Sequence, residues 1–122
     1  MTFVADAVVE MVTNSSGEST AFTPNMRGLL QAIHYTKSST GTALSTGATL
    51  TVTGENSGIT FLSRALSDSS DLTFQPRGRT HVSTNGAESG GENQLPVCNE
   101  RVKLVLSGGG NAKTGTFRVV LI

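Results

Sequence analysis

The sequence predicts an all-β fold: an antiparallel β-sandwich of jelly-roll type, with seven to eight short strands in a single domain over residues 1–122. Three observations predict it. Apolar residues recur with period two far more often than with period 3.6, the spacing of strands that turn alternate side chains to a core. Clusters of Gly, Ser, Thr and Asn interrupt the chain at short intervals, as turns do. Charged residues make up only 15% of the chain, against a usual level of about 25%. Ser and Thr fill their place, and both suit strands and turns better than helices.

Phe3 to Val12 reads as a first strand rich in Val, with a short helix as the alternative, and Asn14 to Gly17 breaks it. Ala21 to Thr23 reads as a short strand stopped by Pro24. Leu29 to Lys37 reads as a strand because β-branched and aromatic residues follow Gly28. Its two faces would be Leu30, Ala32, His34 and Thr36 on one side and Leu29, Gln31, Ile33 and Tyr35 on the other.

Ser38 to Gly47 is a loop. Ala48 to Thr53 then alternates cleanly, with Ala48, Leu50 and Val52 facing away from Thr49, Thr51 and Thr53. This is the pattern of a half-buried antiparallel strand. Across the turn Gly54 to Gly58 it meets Ile59 to Arg64, which predicts a hairpin. Ser67 to Asp71 is another turn. Leu72 to Gln75 begins a strand that Pro76 interrupts and Arg79 to Ser83 resumes. Asn85 to Gln94 reads as an exposed, mobile, polar loop.

Val97 to Leu106 and Thr116 to Ile122 are strong strands. Val102, Leu104 and Leu106 face one way in the first, and Phe117, Val119 and Leu121 in the second. The glycine-rich run Ser107 to Gly115 between them predicts a second hairpin. The apolar residues Val119 to Ile122 belong in the sheet or against a neighbouring subunit.

Composition excludes several function classes. Nine basic residues balance nine acidic ones, so no net charge drives the chain toward nucleic acid or an anionic membrane. Cys98 is the only cysteine, so no intrachain disulfide forms, which fits assembly in a cytosol. Met1 to Val12 lacks the basic start and long apolar run of a secretion signal, and no segment is long enough to span a bilayer.

The residues offer little chemistry, and neither a cofactor nor a metal site is expected. His34, His81 and Cys98 are far apart and in no ligand spacing. They read as ordinary strand and loop residues, without the orienting partner a nucleophile needs. Ser107 to Thr114 imitates a phosphate loop, but Ala112 stands where glycine should precede the lysine, and no helix follows. Asp68 and Asp71 lack the further oxygen ligands of a calcium loop and read as turn formers. Asn14-Ser15-Ser16 matches a glycosylation acceptor, of little meaning without a secretion signal. Glu55, Glu88, Glu92 and Glu100 fall at turns or strand starts, and sequence alone pairs no two of them as general acid and base. The expectation is a protein that is not an enzyme.

Two stretches, Leu44–Glu55 (LSTGATLTVTGE) and Asn99–Phe117 (NERVKLVLSGGGNAKTGTF), resemble small virion proteins of tailed bacteriophages. The resemblance implies a particle component in many copies, assembled in the host cytoplasm. Its foremost form is a capsid decoration, or cement, protein on the outer face of the major capsid shell, self-associated as a dimer or trimer. A head–tail connector, tail or fibre-attachment component is the alternative. The expected contact residues are Phe3, Val4, Arg77, Arg79 and Ile122. A carbohydrate-binding jelly roll is a further alternative, but it would stack sugars on exposed aromatics, and one Tyr with five Phe is a thin supply.

Overall fold

The computed structural model describes residues 5–38, 42–66, 71–81 and 87–122. Among the described residues there are nine strands and no helix: β1 (Ala5–Val12), β2 (Ser19–Lys37), β3 (Thr49–Gly54), β4 (Thr60–Ala65), β5 (Leu72–Phe74), β6 (Arg77–His81), β7 (Glu88–Gln94), β8 (Pro96–Ser107) and β9 (Thr114–Leu121). Seven form one antiparallel sheet in the order β1-β9-β2-β8-β3-β4, with β5 also paired to β2. The other two, β6 and β7, form a separate two-stranded sheet.

The 19-residue strand β2 joins the two halves of the large sheet. Ser19–Leu29 pairs with β8, and Leu30–Lys37 pairs with β9, with β5 beside Ile33–Tyr35. Leu29 exchanges two backbone hydrogen bonds with Ile122, both 2.9 Å, while the Leu30 N–H donates to the Leu95 carbonyl at 2.8 Å. Successive strand residues point their amides to opposite edges, so β9 and β8 lie on opposite sides of β2. Gly28 sits at this exchange with φ of 136°, and a Cβ there would come within 2.9 Å of the Ile122 carbonyl oxygen. Only glycine fits without displacing the chain.

This topology corrects the second expected hairpin, because β8 and β9 do not pair with each other. The glycine run between them crosses from one side of β2 to the other, and it is tied down. Gly109 N donates to Gly17 O and Ser45 N to Gly109 O, each at 3.0 Å. The buried Thr13 hydroxyl donates to Gly110 O and accepts from Lys113 N. The β1–β2 turn and the segment before β3 thus supply the run with backbone partners, so a ladder between the flanking strands is not required.

Pro24 does not stop the strand. Phe22 pairs with Lys103 and Asn25 with Arg101, so Thr23-Pro24 forms a bulge on β2. A bulge is where a strand tolerates proline. A second bulge at Gln31 lies between the Leu30–Leu121 and Ala32–Val120 pairs. It shifts the core face from even to odd positions, so Leu30 is buried with Ile33 and Tyr35. The alternation expected for Leu29 to Lys37 therefore breaks in the middle.

The remaining face assignments agree with the burial. Leu50 and Val52 of β3, Val102, Leu104 and Leu106 of β8, and Phe117, Val119 and Leu121 of β9 are fully buried. Tyr35 stacks on Phe117 with ring centroids 5.2 Å apart. The β3–β4 hairpin forms as expected.

Asn85 to Gln94 is not simply a loop, since Glu88–Gln94 is β7, paired with β6. Glu88 and Gly90 to Asn93 are exposed. No apolar alternation marks this strand because little core lies beneath it. The turn expected at Ser67 to Asp71 falls mainly on residues 67–70, outside the described residues.

Candidate functional site

The outer face of the β1-β9-β2-β5 half carries an open groove of about 360 Å³. Its floor follows from the strand register. Val8, Arg118, His34 and Thr73 form one rung across the four strands, and Thr116 pairs with Thr36 in the next. Asp71 and Leu72 also line it. The His34 imidazole Nδ1 lies 3.1 Å from the Thr73 hydroxyl. The Asp71 carboxylate accepts from the Lys37 amide at 2.7 Å, which ties the start of β5 to the end of β2. Arg118 stands 3.7 Å from Asp6, with both side chains about half exposed. Such a pair is weakly held in water. The groove thus offers a guanidinium, an imidazole and several hydroxyls beside an exposed valine. Groups of these kinds are able to hydrogen-bond to a polar or charged partner.

The other half presents a different cluster. Arg101 lies over the Phe22 ring at 4.1 Å from its centroid and forms a bidentate ion pair with Glu55. The Arg101 hydrogen bond holds the Glu55 carboxyl below its ordinary pKa, and Glu55 in turn raises the guanidinium.

Glu100, expected at a turn or strand start, lies inside β8 and is the most functional-looking group of this half. It is 1% exposed, yet it belongs to the fold. Its Oε1 accepts from the amides of Asn56 (2.6 Å) and Ser57 (2.8 Å), and its Oε2 accepts from the Ser57 hydroxyl (2.7 Å). The amide and hydroxyl of Ser57 are the leading causes of its lowered pKa. A Cβ on Gly54 would lie 2.5 Å from Oε2, so glycine opens the space the carboxylate occupies. The signal was present, since Glu100 shares the parity of Val102, Leu104 and Leu106. Asn14 is likewise structural, its side chain accepting from the amides of Ser16 and Glu18.

No family model, curated protein or solved structure matches this chain.

The expected contact residues are placed as follows. Arg77 sits at the base of the β6–β7 arm, its Nη1 donating to the carbonyls of Pro76 (2.7 Å) and Gln31 (3.3 Å). Gln94, its register partner, donates to the Gln31 side chain at 2.7 Å. Arg77 therefore anchors the arm to the β2 bulge. Ile122 is 45% exposed beside Leu29 at 40%, so Arg77 and Ile122 reach the same stretch of β2, Leu29 to Gln31. Arg79 lies in β6 opposite Glu92. Phe3, Val4 and Asp68 lie outside the described residues. Cys98 is exposed at a β8 bulge, where Asn99 takes φ of 52°. Among the described residues, no three His, Cys, Asp or Glu side chains gather as a metal site would need.

Proposed function

We propose that the chain is a capsid decoration, or cement, protein of a tailed bacteriophage, folded as a jelly-roll-like sandwich and bound in many copies to the outer surface of the major capsid shell. The resemblance of Leu44–Glu55 and Asn99–Phe117 to small virion proteins supports the reading. The observation that carries it is the distribution of exposed apolar side chains. Val8, Val12, Phe22, Leu29 and Ile122 are 38–56% exposed. Val8 and Val12 share the outer face of β1, and Leu29 and Ile122 are joined at the strand junction, so part of this apolar surface is grouped as contact surfaces are. A cement protein works by such contacts, each bridging neighbouring subunits and adding to the work needed to separate them.

The test is to add the purified chain to heads that lack it. Co-sedimentation at copy numbers set by the shell lattice, with a raised temperature of DNA release, is the expected result. A small ring at one vertex would place the protein in the connector or tail, and retention on a sugar column would make it a lectin.

A further inference from the structure

The edges of the large sheet differ in how they are closed. An open edge strand is a template for any extended chain, and folded proteins block such edges with shortness, proline, bulges or inward-pointing charges. β4 has a bulge at Phe61, between the Val52–Leu62 and Thr53–Thr60 pairs. Arg64 stands opposite the buried Leu50, a charge on the core-facing side of that edge. β5 is three residues long. The unpaired side of Ser19–Arg27 in β2 contains the Thr23-Pro24 bulge, and β8 begins with Pro96 and the bulge at Cys98-Asn99.

β1 has no proline, bulge or inward-pointing charge, and its charges, Asp6 and Glu10, are both acidic and lie on its outer face. Its eight residues run in unbroken register against β9, without proline, lysine or arginine. Among the described residues no strand covers its other edge. Thr13 N donates to Lys113 O at the end of this ladder, so alternation turns the amides of Met11, Val9 and Ala7 toward β9. The amides and carbonyls of Asp6, Val8, Glu10 and Val12 face outward. The same four side chains lie on the outer face, all exposed, in the order acid, valine, acid, valine.

We propose that the open edge of β1 docks an extended segment of another protein in which every second residue, those of one face, is in turn basic and apolar. Backbone pairing along β1 supplies the ladder that the edge lacks. Cross-strand neighbours share a face, so lysines or arginines opposite Asp6 and Glu10 gain attraction, while apolar residues cover Val8 and Val12. The long, half-exposed contact between Asp6 and Arg118 leaves Asp6 available. Val8 is also the end of the groove rung, so a side chain of the docked segment extends toward Arg118 and His34. A second β1 is the wrong occupant, because it would bring four carboxylates to one strip. The proposal does not depend on which particle, if any, carries the chain.

The test uses the full chain and two short synthetic peptides, one of the repeat Lys-Thr-Val-Thr, which sets lysine and valine in turn along a single face, and the other with glutamate in place of each lysine. The lysine peptide should bind, slow exchange of the Val8 and Glu10 amides, and weaken as salt rises; the glutamate peptide should do neither. Val8→Pro, which removes one outward amide, should abolish the effect while the β8 amides keep their protection. The paired change Asp6→Lys and Glu10→Lys, which leaves the backbone edge intact, should reverse the preference between peptides. Binding that survives Val8→Pro, a preference the charge reversal leaves unchanged, or no lysine-peptide protection at β1 would overturn the proposal. So would a dimer of the unmodified chain that Val8→Pro dissolves, since a second β1 would then be the occupant.

Discussion

Val119 and Val120 are neighbours on β9 with opposite fates, and replacing each by threonine isolates the alternation on which the sheet rests. Val119 is fully buried, and its register partners are Ala7 on β1 and Ile33 on β2. Val120 is half-buried on the outer face beside Asp6 and Ala32. Threonine nearly matches valine in shape, so the exchange adds a hydroxyl in place of a methyl and leaves little cavity. Burying that hydroxyl among Ile33, Ala7 and their neighbours costs about 1–3 kcal/mol when no partner accepts its hydrogen bond. At position 120 water reaches the group, and the change stays within about 0.5 kcal/mol. A domain of this size loses roughly 3–5 °C per kcal/mol. Val119→Thr should therefore lower Tm by roughly 3–15 °C, and Val120→Thr by a few degrees at most. Thermal unfolding followed by circular dichroism reads both. Equal shifts, or a larger one at 120, would refute the face assignment. Val119→Asp, which buries an unpaired charge, should leave no soluble folded protein.

Glu100 has its pKa lowered in the fold, so its contribution is complete above the ordinary carboxylate value of 4.5 and is lost as pH falls through the depressed one. Tm should decline on acidification below that value, and Glu100→Gln should flatten part of the decline. Gly54→Ala drives a methyl against the Glu100 carboxylate and should cost about 1–3 kcal/mol in urea unfolding. Arg77→Ala frees the base of the β6–β7 arm, so amide exchange across Glu88–Gln94 should quicken while β8 and β9 stay protected.

Much of the sheet was legible because β3, β9 and the Glu100 to Leu106 part of β8 alternate without interruption, and each buries one face. The β3–β4 hairpin followed from Gly54 to Gly58 standing between two such runs. What stayed hidden were features that break periodicity. The bulges at Thr23-Pro24 and Gln31 each shift the parity of β2, so its inward residues fit no single template. β7 was missed because both its faces meet water and hydrophobicity leaves no mark. The order of strands was hidden for another reason: pairing of β1 with β9 joins residues more than a hundred positions apart, and local turn chemistry carries no record of it. At the candidate site, the parts of the groove were visible as residues but their rung was not, because Val8, Arg118, His34 and Thr73 come from four strands. Arg77 had looked like a free contact because a guanidinium in a loop gives no hint of the bulge carbonyl it serves.

The insertion of β9 between β1 and β2 bears on how the protein is made. A ribosome delivers β1 and β2 early and β9 last among these strands, so for most of synthesis the first two wait with unfilled ladders. The central slot closes only after some hundred residues of intervening chain have emerged, a non-local search that slows folding. During that wait the apolar runs of β1 and β2 are open to other nascent chains. Trimming β9 should therefore convert a soluble product into an aggregating one, rather than merely shorten the sheet.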